Sequence, residues 1–315
     1  MSSPPPAPVH SPWQSLVHRF RHWRRAAKAA MPYVRRRMYR RAVAKYDALA
    51  SVLCGNVPHA ADAGITVVRP APSGTADNLC LFLTYQPGPA PKPHVVAHVT
   101  ALLDRGVRVV LIVNTALPAG QLQFDPAWVA RLDGLYVREN TGFDFAGWAH
   151  VHGLVAPTLS ARRLFLVNDS IIGPLNDHDF DRLLARVQAA KADVVGLTES
   201  MTPRPHLQSF FLVFNQRAID EALGPFFRNV LSLPDKGMVI DVYETRWTQR
   251  LRQDGFVCEA LFPPLIPHAL ESNDTHDLWQ ELIAAGFPYI KASVMASHPD
   301  HPEVRRLVTS RFRAA

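Results

Sequence analysis

No stretch of this 315-residue chain approaches the ~20 consecutive apolar residues that a membrane-spanning helix needs. Cysteine is scarce: Cys54, Cys80 and Cys258 are odd in number, widely spaced and in no metal-ligand pattern. The sequence therefore predicts buried thiols in a reducing compartment rather than a disulfide framework or a cysteine-held metal. Glycine fingerprints of the G-x-G-x-x-G or Walker type are missing, which disfavours a classical dinucleotide or ATP site. No internal repeat is visible, and the opening MSSPPPAPVHSP lacks the apolar core of a secretory signal. These absences predict a soluble, cytosolic protein. With 48% hydrophobic residues there is enough material for one large domain or two small ones.

Acidic residues are missing from the first 46 positions, which hold 11 Lys or Arg between Arg19 and Lys45. Those 11 of the 34 basic residues leave 23 for the rest of the chain against 27 acidic ones, so the net charge of +7 belongs to the arm and the body is slightly acidic. Ser11-Pro12-Trp13-Gln14 has the form of a capping box with proline at the first helical position. Trp13, Leu16, Val17, Phe20, Trp23 and Ala27 follow at helical spacing. Beyond Pro32, which kinks or restarts the helix, Val34, Met38, Ala42, Tyr46 and Leu49 form a second stripe between arginines. A basic amphipathic helix with Trp and Phe suits an anionic membrane surface. Packing on the body and a nucleic-acid arm are the alternatives, and nucleic acid is disfavoured because the body is acidic. Residues 1–50 are thus expected to be a Pro-rich tail and basic helical arm, and 60–300 the folded domain.

From about residue 60, strands alternate with helices. Strands are expected at 79–85, 107–114, 134–138, 164–168, 192–198, 209–215 and 256–261. Helices are expected at 94–105, near Trp128, at 143–154 and 180–190, and around 217–231 and 240–253. This alternation predicts an α/β fold with a mostly parallel sheet covered by helices on both faces.

Three polar clusters interrupt the pattern. Arg138-Glu-Asn-Thr-Gly-Phe-Asp144 leaves a strand and enters a helix; Gly142 can take a positive φ, and a helix N-terminus offers free N–H groups to phosphate. Asn168-Asp169-Ser170 ends the apolar run Leu164-Phe-Leu-Val167. A carboxylate there needs a donor, a cation or a metal, and Asp169 can hold Mg²⁺ or Mn²⁺ together with substrate phosphates. Asp241-Val-Tyr-Glu244 opens a helix, and Glu244 can serve as a general base. Taken singly, each has a plain structural reading: a helix cap at Asn140 or Thr141, an Asx turn at Asn168, a first-turn glutamate at Glu244.

Taken in order, the clusters resemble GT-A type glycosyltransferases, in which a glycine-bearing loop precedes a strand ending in a D-x-D-like motif and a later acidic residue opens a helix. The combination of ENTGFDFAGW, LVNDSIIGPL, ADVVGLTES, HLQSFFLVF, the Tyr243-Glu244-x6-Leu251 helix and LIAAGFPYIK resembles, over roughly residues 79–295, the rhamnan synthesis F family of bacterial polysaccharide assembly. The resemblance implies a GT-A-like, Rossmann-like fold and transfer of rhamnose or another deoxyhexose from a nucleotide-diphosphate donor, dTDP-rhamnose by preference. The acceptor would be a lipid-linked or polysaccharide glycan, in an inverting displacement at the inner face of the cytoplasmic membrane. It puts Asp169 at the diphosphate or metal, with Asn168 and Ser170 in support. Asn140, Gly142 and Asp144 fall on the nucleotide-sugar side, Tyr85 near the base, and His206, Gln208 and Ser209 on acceptor or donor sugar, with Glu244 as base. The chain has N-D-S where that fold carries D-x-D, one metal-binding carboxylate fewer. It has Tyr-Glu in place of Glu-Asp, which makes the base one carbon longer. The alternative implied by those departures is a non-catalytic glycan-binding or assembly protein on the same fold.

Overall fold

The computed structural model describes residues 54–266 and 273–311, with isolated positions between 38 and 52. The chain divides into two compact units, Met1–Cys54 and Gly55–Ala315. In the first unit Met38, Arg40, Asp47, Leu49, Ala50 and Val52 are helical, and Met38 and Leu49 are exposed. The capping box at Ser11 and the stripe from Trp13 to Ala27 lie outside the described residues.

The second unit is built on a sheet whose strands are β1 (Ile65–Arg69), β2 (Gly74–Tyr85), β3 (Arg108–Thr115), β4 (Gly134–Glu139), β5 (Leu159–Asn168), β7 (Val194–Ser200), β8 (His206–Leu207), β9 (Phe211–Asn215) and β10 (Cys258–Phe262). Their order is β1-β4-β3-β2-β5-β9-β7-β10, with β8 on β7. A separate two-stranded piece pairs β6 (Ile171–Ile172) with β11 (Ile290–Lys291), Lys291 opposite Ile171. β4, β3, β2 and β5 are mutually parallel and β10 is parallel to β7, whereas β9 runs antiparallel to both its neighbours and β1 antiparallel to β4. The largely parallel sheet flanked by helices agrees with the sequence-based expectation; the reversed β9 and the edge strand β1 go beyond it.

Val109 to Val113 of β3 and Leu166 and Val167 of β5 are fully buried, as strands covered on both faces must be. Helices α1 (Pro93–Leu103) and α4 (Asp177–Ala189) cover one face, where Val95, Val99, Leu102, Phe180 and Leu183 pack with Cys80, Phe82, Val109 and Leu111. Between them in sequence, α2 (Pro126–Arg131) adds Trp128 to the same cluster. The opposite face takes α3 (Phe143–Val155), which is buried around most of its circumference. Trp148 Nε1 of α3 donates to Leu81 O at 3.1 Å, and Gly147 lets the helix reach Leu83, whose Cδ1 lies 2.3 Å from where a Cβ would stand.

Two differences from the sequence reading bear on the site. The helix expected at 217–231 is three short segments, Gln216–Ala218, a π turn at Ile219–Leu223, and Gly224–Phe227. The helix expected at 240–253 starts earlier: Lys236–Val239 runs into a π turn at Ile240–Glu244 and then α5 (Thr245–Gln253). Hydrophobic spacing cannot distinguish a local π turn from continuous α-helix, because the extra residue shifts the apolar face by less than a turn. An aromatic cluster fixes this region. Trp247 stacks on Phe226 with centroids 4.1 Å apart and on Phe214 at 4.9 Å, and meets Phe145 of α3 edge-on.

Candidate functional site

From β2 the chain steps outward to β3 and β4; β5 then returns to the other side of β2. The connections leave the carboxyl ends of β2 and β5 in opposite directions, and such a switch point is where open α/β sheets bind ligands. Asp169 follows the last residue of β5 at that point. Its N–H donates to Leu83 O, and its Oδ2 accepts from Thr84 Oγ1 at 2.5 Å, Lys92 Nζ at 2.6 Å and Tyr85 N at 3.2 Å. The partner that the sequence demanded for this carboxylate is thus a set of donors that includes a cation.

Asn168 is buried and works in two directions. Its Oδ1 accepts from Ser170 N at 3.0 Å and from Ser170 Oγ at 2.6 Å, an Asx-type turn, while its Nδ2 donates to Asp144 Oδ2 at 2.8 Å. Asp144, in the first turn of α3, is thereby tied to the strand that delivers Asp169. Burial, with Asp169 and Glu244 nearby, pushes the Asp144 carboxyl up to about 6, against Lys236 and Lys291.

The loop between β4 and α3 owes its shape to buried Arg138. That guanidinium donates to Thr141 O at 2.6 Å, Glu139 O at 3.0 Å and Ala60 O at 3.1 Å, and burial lowers its pKa to about 10. Gly142 then turns the chain into α3 with φ of 71°, and Phe143 follows at φ of 56°, a left-handed conformation unusual for a side chain of that size. A Cβ on Gly142 would stand 2.4 Å from Ala146 Cβ and 2.6 Å from Ser232 Cα, so this position takes glycine for space as well as conformation.

Glu244 ends the π turn. Its Oε1 lies 3.3 Å from Ser209 N and 3.7 Å from His206 Nε2. His206 Nδ1 lies 2.8 Å from Arg204 O, which requires the proton on Nδ1 and turns Nε2 toward Glu244. Burial pushes the Glu244 carboxyl up, but neighbouring His206, the Lys291 charge and Ser209 N–H outweigh it and hold it below its ordinary range. Gln208 is anchored instead: its Oε1 accepts from Thr198 Oγ1 at 2.7 Å and Thr275 Oγ1 at 3.4 Å.

These residues converge on one cleft of about 810 Å³ at the carboxyl edge of the sheet. Tyr85, Asn140, Asp144, Asn168, Asp169, Ser170, His206, Gln208, Ser209 and Glu244 all line it; Gly142 does not, and acts from beneath through the loop it permits. Tyr85 is exposed, with the Lys92 ammonium 5.9 Å from its ring centroid. Sequence reasoning missed three cations in the same walls, Lys92, Lys236 and Lys291. Lys92 and Lys236 offered no signal, since each stands in an ordinary helix-entry segment; Lys291 closed a motif noted for its resemblance without a role being read into it. Among the described residues no group of three or more His, Cys, Asp or Glu side chains is placed to hold a metal ion.

Fold and cleft together define an α/β protein with a ligand site of mixed carboxylates and ammonium groups at the switch point of a largely parallel sheet. The chain belongs to the rhamnan synthesis protein F family, whose pattern matches residues 109–309. That span starts after Tyr85 and Lys92, so the family match covers β3 onward while the cleft also draws on β2. Two proteins named virulence protein VirA from Vibrio anguillarum, one of them from strain 775, are similar to it at 26% identity over 205 residues, covering 54% of this chain. The chain spans 65% of the length of these curated relatives. No helix among the described residues is long and apolar enough to cross a membrane.

Proposed function

We propose that the protein is a glycosyltransferase that moves a sugar, rhamnose or another deoxyhexose, from a nucleotide-diphosphate donor to a lipid-linked or polysaccharide acceptor in bacterial cell-surface glycan synthesis. The observation that carries this reading is the convergence of Asp169 and Glu244, 75 positions apart in sequence, on one cleft at the sheet's switch point. Family membership and the largely parallel sheet support a GT-A-like version of the fold. In that reading the donor diphosphate lies toward Asp169 and the loop of Asn140, and exposed Tyr85 offers a face for the base. dTDP-rhamnose is the favoured donor.

The chemistry asks for a base at the acceptor and for positive charge at the leaving group. Glu244, held ionised by His206, Lys291 and Ser209 N–H, takes the proton from the acceptor hydroxyl. The acceptor oxygen forms its bond to the anomeric carbon as the bond from that carbon to the diphosphate oxygen breaks, and the electron pair leaves on the diphosphate. One displacement of this kind inverts the anomeric centre. The basic arm would hold the enzyme on the anionic inner face of the cytoplasmic membrane, near a lipid-linked acceptor.

The test is thermal stabilisation by dTDP, UDP, GDP and CDP, followed by turnover of the nucleotide sugar that corresponds to the best ligand. Binding to the folded state alone at ~100-fold saturation raises stability by ~2.7 kcal/mol. The expected result is a selective shift with dTDP, lost in Asp169→Asn, and turnover lost in Glu244→Gln with the shift kept. A second reading, a non-catalytic glycan-binding protein on the same fold, is favoured by one observation: Asp169 and Glu244 both have fixed partners within the chain. Glycan binding with no nucleotide shift and no turnover would select it.

A further inference from the structure

The cleft's carboxylates do not make a ligand set for a divalent cation. Such ions take carboxylate and phosphate oxygens. At Asp169 the oxygen that faces β2 already accepts three hydrogen bonds, one from an ammonium at 2.6 Å, and at Asp144 Oδ2 accepts the Asn168 amide. Three ammonium groups line the cleft against the carboxylates of Asp144, Asp169 and Glu244, and two of the three form no ion pair among the described residues. Lys92, at the entry to α1, uses one of its three donors on Asp169. Lys291 is fixed by the β6–β11 ladder beside Ser170, with Nζ 3.4 Å from Ser170 Oγ and 3.9 Å from the Phe210 ring centroid. No carboxylate among the described residues forms an ion pair with it. Lys236, at the start of the helical run that carries Glu244, is exposed to the cleft and likewise has no ion-pair partner among the described residues.

Three separate elements thus bring their cations to one cleft. Lys92 has Asp169 as counter-ion and Lys236 is exposed, but Lys291 is half-buried with no ion pair, and such a cation is costly unless a bound anion supplies the opposite charge. Burial, with Lys236 nearby, lowers the Lys291 pKa to about 8 against Glu244 and Asp144, so the cleft by itself disfavours the ammonium form and a bound anion would favour it.

We infer that Lys92, Lys236 and Lys291 together form the diphosphate site, neutralising the leaving group's charge in place of a divalent metal. The inference rests on the transferase reading and specifies how that reading's substrate is held. Asp169 then positions the Lys92 ammonium instead of coordinating an ion, and N-D-S in place of D-x-D follows, since a second metal-binding carboxylate would cancel a needed positive charge.

The experiment titrates dTDP, UDP, GDP, CDP and inorganic pyrophosphate into the full chain by calorimetry, first in EDTA and then with Mn²⁺ or Mg²⁺. Binding of pyrophosphate and at least one nucleotide in EDTA is expected, with less than a few-fold change on adding metal. Loss of one charge-assisted hydrogen bond in Lys291→Met should weaken it about ten-fold or more. Lys291→Arg, which keeps the charge, should retain part of the affinity, and Lys191→Met, in the exposed loop after α4, should match the wild type. Melting curves identify any variant that has not folded, and Lys236→Met, at an exposed position, gives the same reading without risk to the core. Nucleotide binding that requires Mn²⁺ or Mg²⁺ would overturn the inference and leave the transferase standing. Undiminished binding in both Lys291→Met and Lys236→Met would overturn it too. Absence of any nucleotide or pyrophosphate binding, with or without metal, would remove both.

Discussion

The Lys92 ammonium lies 2.6 Å from Asp169 Oδ2 across the switch point between β2 and β5. Both side chains are partly withdrawn from water, 31% and 15% exposed, so the pair is less screened than a surface ion pair while each charge keeps part of its hydration. Thr84 Oγ1 and Tyr85 N share the same oxygen. Removing the ammonium leaves a carboxylate with two neutral donors; removing the carboxylate leaves an ammonium beside them.

Lys92→Met and Asp169→Asn should therefore each destabilise the fold by about 1–3 kcal/mol. The double variant should cost less than the sum, with a coupling of about 0.5–3 kcal/mol. Denaturant melts of the four proteins measure this. Additive effects would mean that the pair contributes nothing to the folded state and that Lys92 serves ligand alone.

At Gly142 two requirements coincide, a φ of 71° and a Cβ direction filled by Ala146 Cβ and the backbone of Ser232. A backbone atom cannot rotate aside as a side-chain tip can. Gly142→Ala should cost about 2–4 kcal/mol, combining left-handed strain with overpacking. Because Asp144 lies two residues on, the same substitution should weaken nucleotide binding in whatever fraction remains folded. A melting temperature equal to wild type would show that the loop has room to shift.

Asp169 was legible because four apolar residues followed by Asn-Asp-Ser have few physical explanations: a strand buried on both faces had to stop, and a carboxylate there had to be answered. The parallel direction of β2, β3, β4 and β5 was legible for a similar reason, since helix-bearing connections of a dozen or more residues between strands leave little else. The reversal of β9 was not, because periodicity carries no strand direction and the His206 turn that reverses it reads as an ordinary loop. Nor could the cations be found. Residues 92, 236 and 291 meet only after the sheet, the 236–253 helical run and the β6–β11 pairing have formed, and lysine in a helix-entry segment is commonplace. Glu244 was found by its place in a resembling motif; its π turn and its His206 partner were visible only in three dimensions.

Asp144 presents a stability cost retained at the candidate site. Its folded pKa of about 6 lies above the ordinary 3.8, so the folded state binds the extra proton between those values and is stabilised on the acid side. As pH rises through that window the contribution is lost, and at neutral pH the chain carries a crowded carboxylate near Asp169 and Glu244. Asp144→Asn keeps an oxygen for the Asn168 amide and removes the charge. It should raise stability above pH 6 by about 1–2 kcal/mol, a gain that shrinks toward zero near pH 4. Activity should fall in the same variant, as expected where function holds a charge that folding disfavours. A pH-independent difference would mean that Asp144 titrates normally.

His98 makes the opposite prediction on the other face of the sheet. Its ring is fully enclosed by Phe82, Phe180 and Tyr289, with Tyr289 Oη 2.9 Å from Nε2. Burial, aided by the nearby His94, lowers its pKa from 6.5 to about 3. The unfolded chain therefore binds a proton in that interval which the folded chain refuses, and stability rises with pH across it. The contribution is complete above about pH 6.5 and is lost as pH falls toward 3; each full unit of such a shift corresponds to about 1.4 kcal/mol. His98→Phe should lose the Tyr289 hydrogen bond and be less stable than wild type at pH 7.5, by about 1–2 kcal/mol. Between pH 6.5 and 4.5 it should lose stability less steeply, so that the two curves approach or cross. Urea melts at half-unit pH intervals separate this from the Asp144 contribution, whose slope has the other sign. Parallel curves over the whole interval would show that His98 takes up its proton within the fold and that the aromatic enclosure opens to admit it.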